Sequence, residues 1–228
     1  MSLLAIDTAT DQLAVAVVDE TRVLGAYAIL AERPHAIELP QAITRVLKAS
    51  NLSLAQLTGF AIDIGPGSFT GLRIGVAFLK ALVFRAKTPV IGVSSLDVLA
   101  AGAGAFDGVI CPLIDARRRN VYAALYRDHA GKLTKQSDYS IVTIDELIPM
   151  LKQDSVLFLG DGARLYRAQL EETLGARARF APPEAAIPNA ATLGRLGLER
   201  LAAGQRDDLS TLVPMYLYPS DCTVSRPG

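Results

Sequence analysis

The chain has 228 residues, half of them hydrophobic and a fifth charged, which is enough to bury one large core or two small ones and too apolar for disorder. Its 23 Lys and Arg residues balance 23 Asp and Glu, which excludes a protein that grips nucleic acid by bulk charge and leaves room only for a local basic patch. The only cysteines, Cys111 and Cys222, are too few and too far apart for a disulfide framework or a zinc knuckle.

The opening MSLLAIDTAT has no basic segment and meets Asp7 before any long apolar run, so no signal peptide is expected. The apolar stretch Leu72 to Phe84 is interrupted by Arg73 and Lys80 and is too short for a bilayer, so a soluble cytoplasmic protein is expected. Leu3 to Ile6 reads as a strand ending at Asp7-Thr8-Ala9-Thr10. Leu13 to Val18 and Val23 to Leu30 are two more, joined by the turn Asp19-Glu20-Thr21. Pro34 opens a helical stretch to Ala49, with Pro40 predicting a kink or a late start. Ser53 and Gln56 form a capping-box pattern.

Phe60 to Ile64 is a strand, Gly65-Pro66-Gly67-Ser68 a glycine turn, and a helix follows from Phe69 or Thr70 to about Arg85. Glycines bare the backbone N–H groups at a helix start, so a phosphate cradle is the first chemistry to consider. The spacing fits neither standard cradle: GxGxxG needs glycine where Thr70 stands, and no Gly-Lys pair follows. A tight strand-to-helix connection without ligand is the alternative. Ser68 lacks the flanking glycines of a GxSxG nucleophile elbow, since Pro66 and Thr70 occupy those places. Val90 to Val93 is a strand, Ser94 caps a helix to about Ala101, and AGAGAFDG (101–108) is the linker candidate.

The pattern then starts again. Val109 to Ile114 is a strand ending in Asp115-Ala116-Arg117, and Val121 to Arg127 and Leu133 to Val142 are strands. Thr143 to Glu146 is a capping box for a helix to Lys152, Val156 to Leu159 is a strand, and Gly160-Asp161-Gly162 leads into a helix to Leu174. A loop with Pro182, Pro183 and Pro188 precedes a last helix, Asn189 to Ala203, and an extended tail. Each half thus reads strand, strand, strand, helix, strand, helix. The fold expected is α/β, two similar βββαβα subdomains (1–103 and 104–228) facing each other across a cleft. Asp7 and Asp115 end the first strand of each half and would face that cleft; carboxylates so placed hold Mg2+ through water, but Asp at a strand end is also a common turn residue. Arg117, Arg118 and Arg119 read as a solvated turn with phosphate contact as the alternative.

The duplicated arrangement resembles the superfamily of actin, the heat-shock chaperone ATPases and the sugar kinases. Within it, LAIDTAT (4–10), His35 with Leu39-Pro40, GPGSFTGLRIG (65–75), GVSSL (92–96), IDAR (114–117) with Val121-Tyr122, and PMYLY (214–218) resemble the TsaB (YeaZ) family, firmly in the first half and loosely after Leu125. The resemblance implies a non-catalytic scaffold and dimerisation subunit of the bacterial complex that makes threonylcarbamoyladenosine in tRNA. Its implied partners are a TsaD-like catalytic subunit and a TsaE-like ATPase, with a homodimer in isolation and tRNA met through the complex rather than directly. No tightly bound cofactor is implied, ATP or ADP with Mg2+ entering at the level of the complex.

The superfamily also implies a weak or vestigial nucleotide cleft at Asp7, Thr8, Thr10, Asp115, Gly160 and Gly162, from which a stand-alone ATP-using phosphotransferase is the alternative reading. A glycoprotease-like metallopeptidase is a remote one: the catalytic sister holds metal with two histidines four apart, and here His35 is followed by Leu39. The helix after the glycine turn is apolar on two sides, Leu72, Val76, Leu79 and Val83 on one and Ile74, Phe78, Ala81 and Phe84 on the other, so it needs a second thing to pack on. With the family as guide, the partner interface expected is His35, Phe69, Leu72, Arg73, Val76, Leu79, Lys80 and Val83, and glutamate at Val76 or Leu79 would break pairing while leaving the monomer folded.

Overall fold

The computed structural model describes residues 1–30, 35–84 and 88–217. The first sheet has five strands: β1 (Ser2–Asp7), β2 (Gln12–Asp19), β3 (Val23–Leu30), β4 (Gly59–Gly65) and β5 (Val90–Ser94), in the order β3-β2-β1-β4-β5. β1 to β3 form an antiparallel meander, and β4 and β5 run parallel to β1. The parallel steps need crossovers, supplied by α1 (His35–Ser50) and α2 (Phe69–Val83). α1 starts at His35 and runs through Pro40 without a break, so the late start does not occur; Pro34 lies outside the described residues.

α3 (Ser95–Gly102), capped by the Ser94 hydroxyl accepting from the Leu96 N–H, leads into the second sheet. Its strands are β6 (Val109–Arg117), β7 (Asn120–Ala123), β8 (Tyr126–His129), β9 (Lys132–Lys135), β10 (Ser140–Thr143), β11 (Val156–Leu159) and β12 (Ala178–Phe180). The order is β10-β7-β6-β11-β12, with β8 on β6 and β9 on β8. Two expected long strands are each broken in two, because the chain leaves the ladder at Ala124-Leu125, where both residues are buried, and again at 136–139. The helices are α4 (Ile144–Met150), opened by the Thr143–Glu146 capping box, α5 (Asp161–Leu165), α6 (Arg167–Leu174) and α7 (Ala190–Ala202), capped by Asn189.

Leu4, Ile6, Val15 and Val17 alternate along β1 and β2 with Leu3, Ala5, Ala16 and Val18, so both faces of the first sheet are apolar. α1 and α2 cover the face of Leu4 and Ile6. The other face is covered by α7, through Ala190, Leu193 and Leu198. The boundary at 103/104 therefore separates the two sheets but not the two packing units: α7 and residues 205–217 return to the first sheet. Asp207 donates its N–H to Val90 O, Leu212 is buried beside Val83 and Val90, and the Met215 N–H donates to Ile64 O. A last group, Leu96, Leu99 and Ala100 of α3 with Ile110, Ile114, Tyr126 and Leu159, closes the joint between the halves. Across it Asp97 accepts hydrogen bonds from the Tyr126 hydroxyl (2.6 Å) and the Tyr139 hydroxyl (2.7 Å).

Candidate functional site

The two stretches with the strongest motifs, 7–10 and 65–75, fold onto each other. β1 and β4 are parallel neighbours, so their ends deliver both turns to the same edge of the sheet. The Ser68 N–H donates to Ala9 O (2.7 Å) and the Thr8 hydroxyl to Gly71 O (2.8 Å). A Cβ on Gly67 would overlap the Ala9 carbonyl oxygen, and one on Gly71 the Thr8 carbonyl oxygen. The glycines considered as a phosphate cradle instead admit the chain's own first turn. α2 then starts at Phe69 with the Ser68 hydroxyl accepting from the Gly71 N–H.

One residue beyond the Ile6–Ile62 pair, Asp7 and Asp63 sit side by side. Both are withdrawn from solvent, at 1 % and 0 % exposure. Asp7 accepts from the Ala9 N–H (2.9 Å). Asp63 Oδ1 accepts from the Ser95 hydroxyl (2.6 Å) and the Gly65 N–H (2.7 Å), while its Oδ2 is buried without a partner. Burial pushes the Asp7 carboxyl up to about 6, against the pull of the Ala9 N–H and of His35. Burial and the neighbouring Asp7 charge push Asp63 well above the carboxylate range. Burial and mutual repulsion thus both favour the protonated form of the pair. Asp63 escaped the sequence reading; a lone carboxylate within the apolar run 60–64 was its signal.

Of the residues expected to meet a nucleotide, Asp7 and Thr8 are buried and engaged within the chain, and Thr10 is tied to the backbone of Gln12. His35 donates from Nε2 to Thr10 O (2.8 Å), which fixes the proton on that nitrogen. Asp115 makes a surface ion pair with Arg117 (3.1 Å) and takes the Arg117 N–H. Gly160 and Gly162 lie against the Leu113 backbone, where a Cβ on Gly160 would overlap the Leu113 carbonyl. Gly160 repeats the φ of +98° found at Gly65, so the two halves turn from strand to helix alike. Among the described residues no group of three His, Cys, Asp or Glu side chains is placed to hold a metal.

The expected interface residues divide. Leu72, Val76, Leu79 and Val83 are all buried, the last three packed under the helix in one core with Leu4, Ile6 and Ile62, so this face is turned away from any partner. On one flank the C-terminal segment covers the helix: Tyr216 accepts from Arg73 Nε (3.1 Å), and Ser210 O accepts from Lys80 Nζ (3.3 Å). The Arg73 guanidinium lies 3.8 Å from the Phe69 ring centroid, and Phe69 and Tyr216 rings stand 5.6 Å apart. The open stripe is Phe69, Arg73, Ala77, Ala81 and Phe84, the last 80 % exposed, with Ile37 of α1 exposed as well. Of the residues expected at the interface, Phe69 and Arg73 lie on this open stripe and Leu72, Val76, Leu79 and Val83 on the buried face.

Residues 21–223 match the family model described as TsaD, tRNA N6-adenosine threonylcarbamoyltransferase. A Bacillus subtilis protein named tRNA threonylcarbamoyladenosine biosynthesis protein TsaB is 35% identical over 219 residues, 95% of this chain and 94% of that one. A Pseudomonas aeruginosa protein described by its similarity to peptidase YEAZ superposes with a TM-score of 0.82 at 27% identity, covering 95% of this chain and 99% of the other. A ROK hexokinase from Thermus thermophilus, at 12% identity and a TM-score of 0.51 over 90% of this chain and 100% of the other, shares the fold alone. The duplicated α/β architecture expected from the order of elements is thus a fold this chain shares with that hexokinase. With matches to family model and relatives running over nearly its whole length, the chain belongs to the TsaB (YeaZ) family.

Proposed function

We propose that the chain is a non-catalytic subunit in the biosynthesis of tRNA threonylcarbamoyladenosine, holding a TsaD-like catalytic subunit against the outer faces of α1 and α2. The observation that carries this is the exposed stripe of α2, where Phe69, Ala77, Ala81 and Phe84 leave apolar surface beside the Arg73 cation. Small residues at its centre let a partner helix approach closely, and large ones at its ends provide anchors of the kind that dominate interface energetics. The same stripe serves a homodimer when the catalytic subunit is absent, and a TsaE-like ATPase completes the assembly elsewhere. A role in tRNA metabolism suits a cytoplasmic protein.

Catalysis by this chain alone has little support in its geometry. Asp7 and Thr8, the residues that a phosphotransferase of this superfamily would turn toward nucleotide and metal, are buried under the glycine turn. His35 spends its Nε2 proton on Thr10 O, which leaves the peptidase reading without a ligand pair. ATP with Mg2+ accordingly belongs to the complex. Co-expression with the catalytic subunit followed by affinity capture tests the reading: a stable complex is expected, and normal threonylcarbamoyladenosine levels in cells lacking this chain would overturn it.

A further inference from the structure

The β6–β7 hairpin turns on two residues, Arg118 and Arg119, between the paired positions Arg117 and Asn120. Their φ angles are +51° and +66°, and Arg117 before them is at +64°. A two-residue hairpin with positive φ at both central positions is the type I′ geometry, which sequences ordinarily fill with Asn-Gly because those residues enter the left-handed region cheaply. Arginine is strained there, so the backbone did not select it. Arg117 spends its charge on Asp115 at 3.1 Å. Arg118 and Arg119 are exposed and have no acidic partner among the described residues. The Asp115 N–H donates to Asp161 at the start of α5, and one turn along that helix Arg164 is also exposed and without an acidic partner among the described residues. The neighbouring Asp161 is in no ion pair with them, and its Oδ1 is taken by the N–H groups of Asp115 and Gly162.

We propose that the Arg118-Arg119 tip, with Arg164 behind it, contacts the phosphodiester backbone of RNA directly. Two guanidiniums carried on a tight hairpin tip present forked donors that suit phosphate oxygens. Backbone phosphates need no base-reading surface, and a patch this small neutralises a few of them without requiring a basic protein. The inference rests on the tRNA reading above, and assigns to this chain an RNA contact that the family resemblance leaves to the complex.

The test uses the double variant Arg118→Asn with Arg119→Gly, whose residues suit the left-handed turn and so spare the fold. Fluorescence anisotropy with an unmodified tRNA transcript is measured across KCl concentrations, for the full chain alone and with the catalytic subunit. Thermal stability at or above wild type is expected, with affinity about tenfold weaker near 50 mM salt and a log–log salt slope shallower by about 0.7–0.9 for each phosphate no longer neutralised. Arg118→Lys with Arg119→Lys should recover most of the affinity. Wild type and variant with the same affinity and slope would overturn the proposal. So would tRNA binding that is unchanged while capture of the catalytic subunit weakens, an outcome that assigns the tip to an acidic protein surface. Because that capture is measured on the same samples, failure of the scaffold reading shows itself separately.

Discussion

The Tyr126 hydroxyl donates to Asp97 Oδ1 across 2.6 Å and so ties a strand of the second sheet to the helix leaving the first. Tyr139 grips the other carboxylate oxygen at 2.7 Å, and burial with the Asp97 charge pushes both phenols above their ordinary range. A carboxylate held by two hydroxyls in a half-buried joint is worth more than one held by either alone. Tyr126→Phe is expected to lower stability by about 1.5–3 kcal/mol, the range for hydrogen bonds to charged groups, in urea unfolding. The double variant with Tyr139→Phe should depart from the plain sum of the two single losses, since both act on one acceptor.

Val76→Glu and Leu79→Glu would bury a carboxylate under α2, among Leu4, Ile6 and Ile62, rather than break a docking surface. Both should unfold the monomer or lower its Tm sharply, a loss of about 3–5 kcal/mol. Ala77→Glu, on the exposed stripe, should keep the wild-type Tm within a few degrees and abolish association in analytical ultracentrifugation. Retained association in that variant would remove the stripe from the interface.

Asp63→Asn should stabilise the chain at neutral pH. The Asn oxygen still accepts from Ser95 and Gly65, and the change removes a like charge beside Asp7. The sign follows from the raised carboxyls: the ordinary value is 3.8, and Asp7 in the folded chain lies at about 6. Below 3.8 both folded and unfolded chains are protonated and nothing is lost. As pH rises through 3.8 the unfolded chain ionises first and folding becomes less favourable, and Asp63, raised well above that value, keeps adding to the penalty as pH climbs. The variant's advantage over wild type should therefore grow between about pH 4 and pH 7. A constant difference across that range in urea titrations would refute this account of the pair.

Gly71→Ala places a methyl group on the Thr8 carbonyl oxygen, which is backbone and cannot swing away. The loss expected is about 2–4 kcal/mol, as for overpacking with strain. Isothermal titration of the wild-type chain with MgATP should give no heat of binding, because the Asp7 turn is already filled by the chain's own glycine loop.

The local grammar of this fold was legible. Ser94, Asn189 and the Thr143–Glu146 pair cap helices as their residue types demand, and Gly65 and Gly160 mark equivalent turns. What could not be read was where each apolar face goes. α2 is apolar on two sides in the sequence; one side meets the first sheet, and part of the rest is covered by Leu209, Leu212 and Tyr216, far later in the chain. Periodicity reports that a face must be buried and is silent on its cover. Asp63 was missed for a related reason, since its partners Asp7 and Ser95 come together only through parallel pairing and the start of α3.

The return of α7 to the first sheet sets the order of events during synthesis. Leu3, Ala5, Ala16 and Val18 leave the ribosome among the first residues, yet their cover, Leu193 and Leu198, is translated some 175 residues after Val18. At roughly 5–20 residues per second that interval lasts on the order of ten seconds or more, with one face of a nearly complete sheet bare. The N-terminal half therefore carries an uncovered apolar sheet face until the end of synthesis. A fragment ending at residue 103 lacks that cover altogether, and the unit of folding is the whole chain.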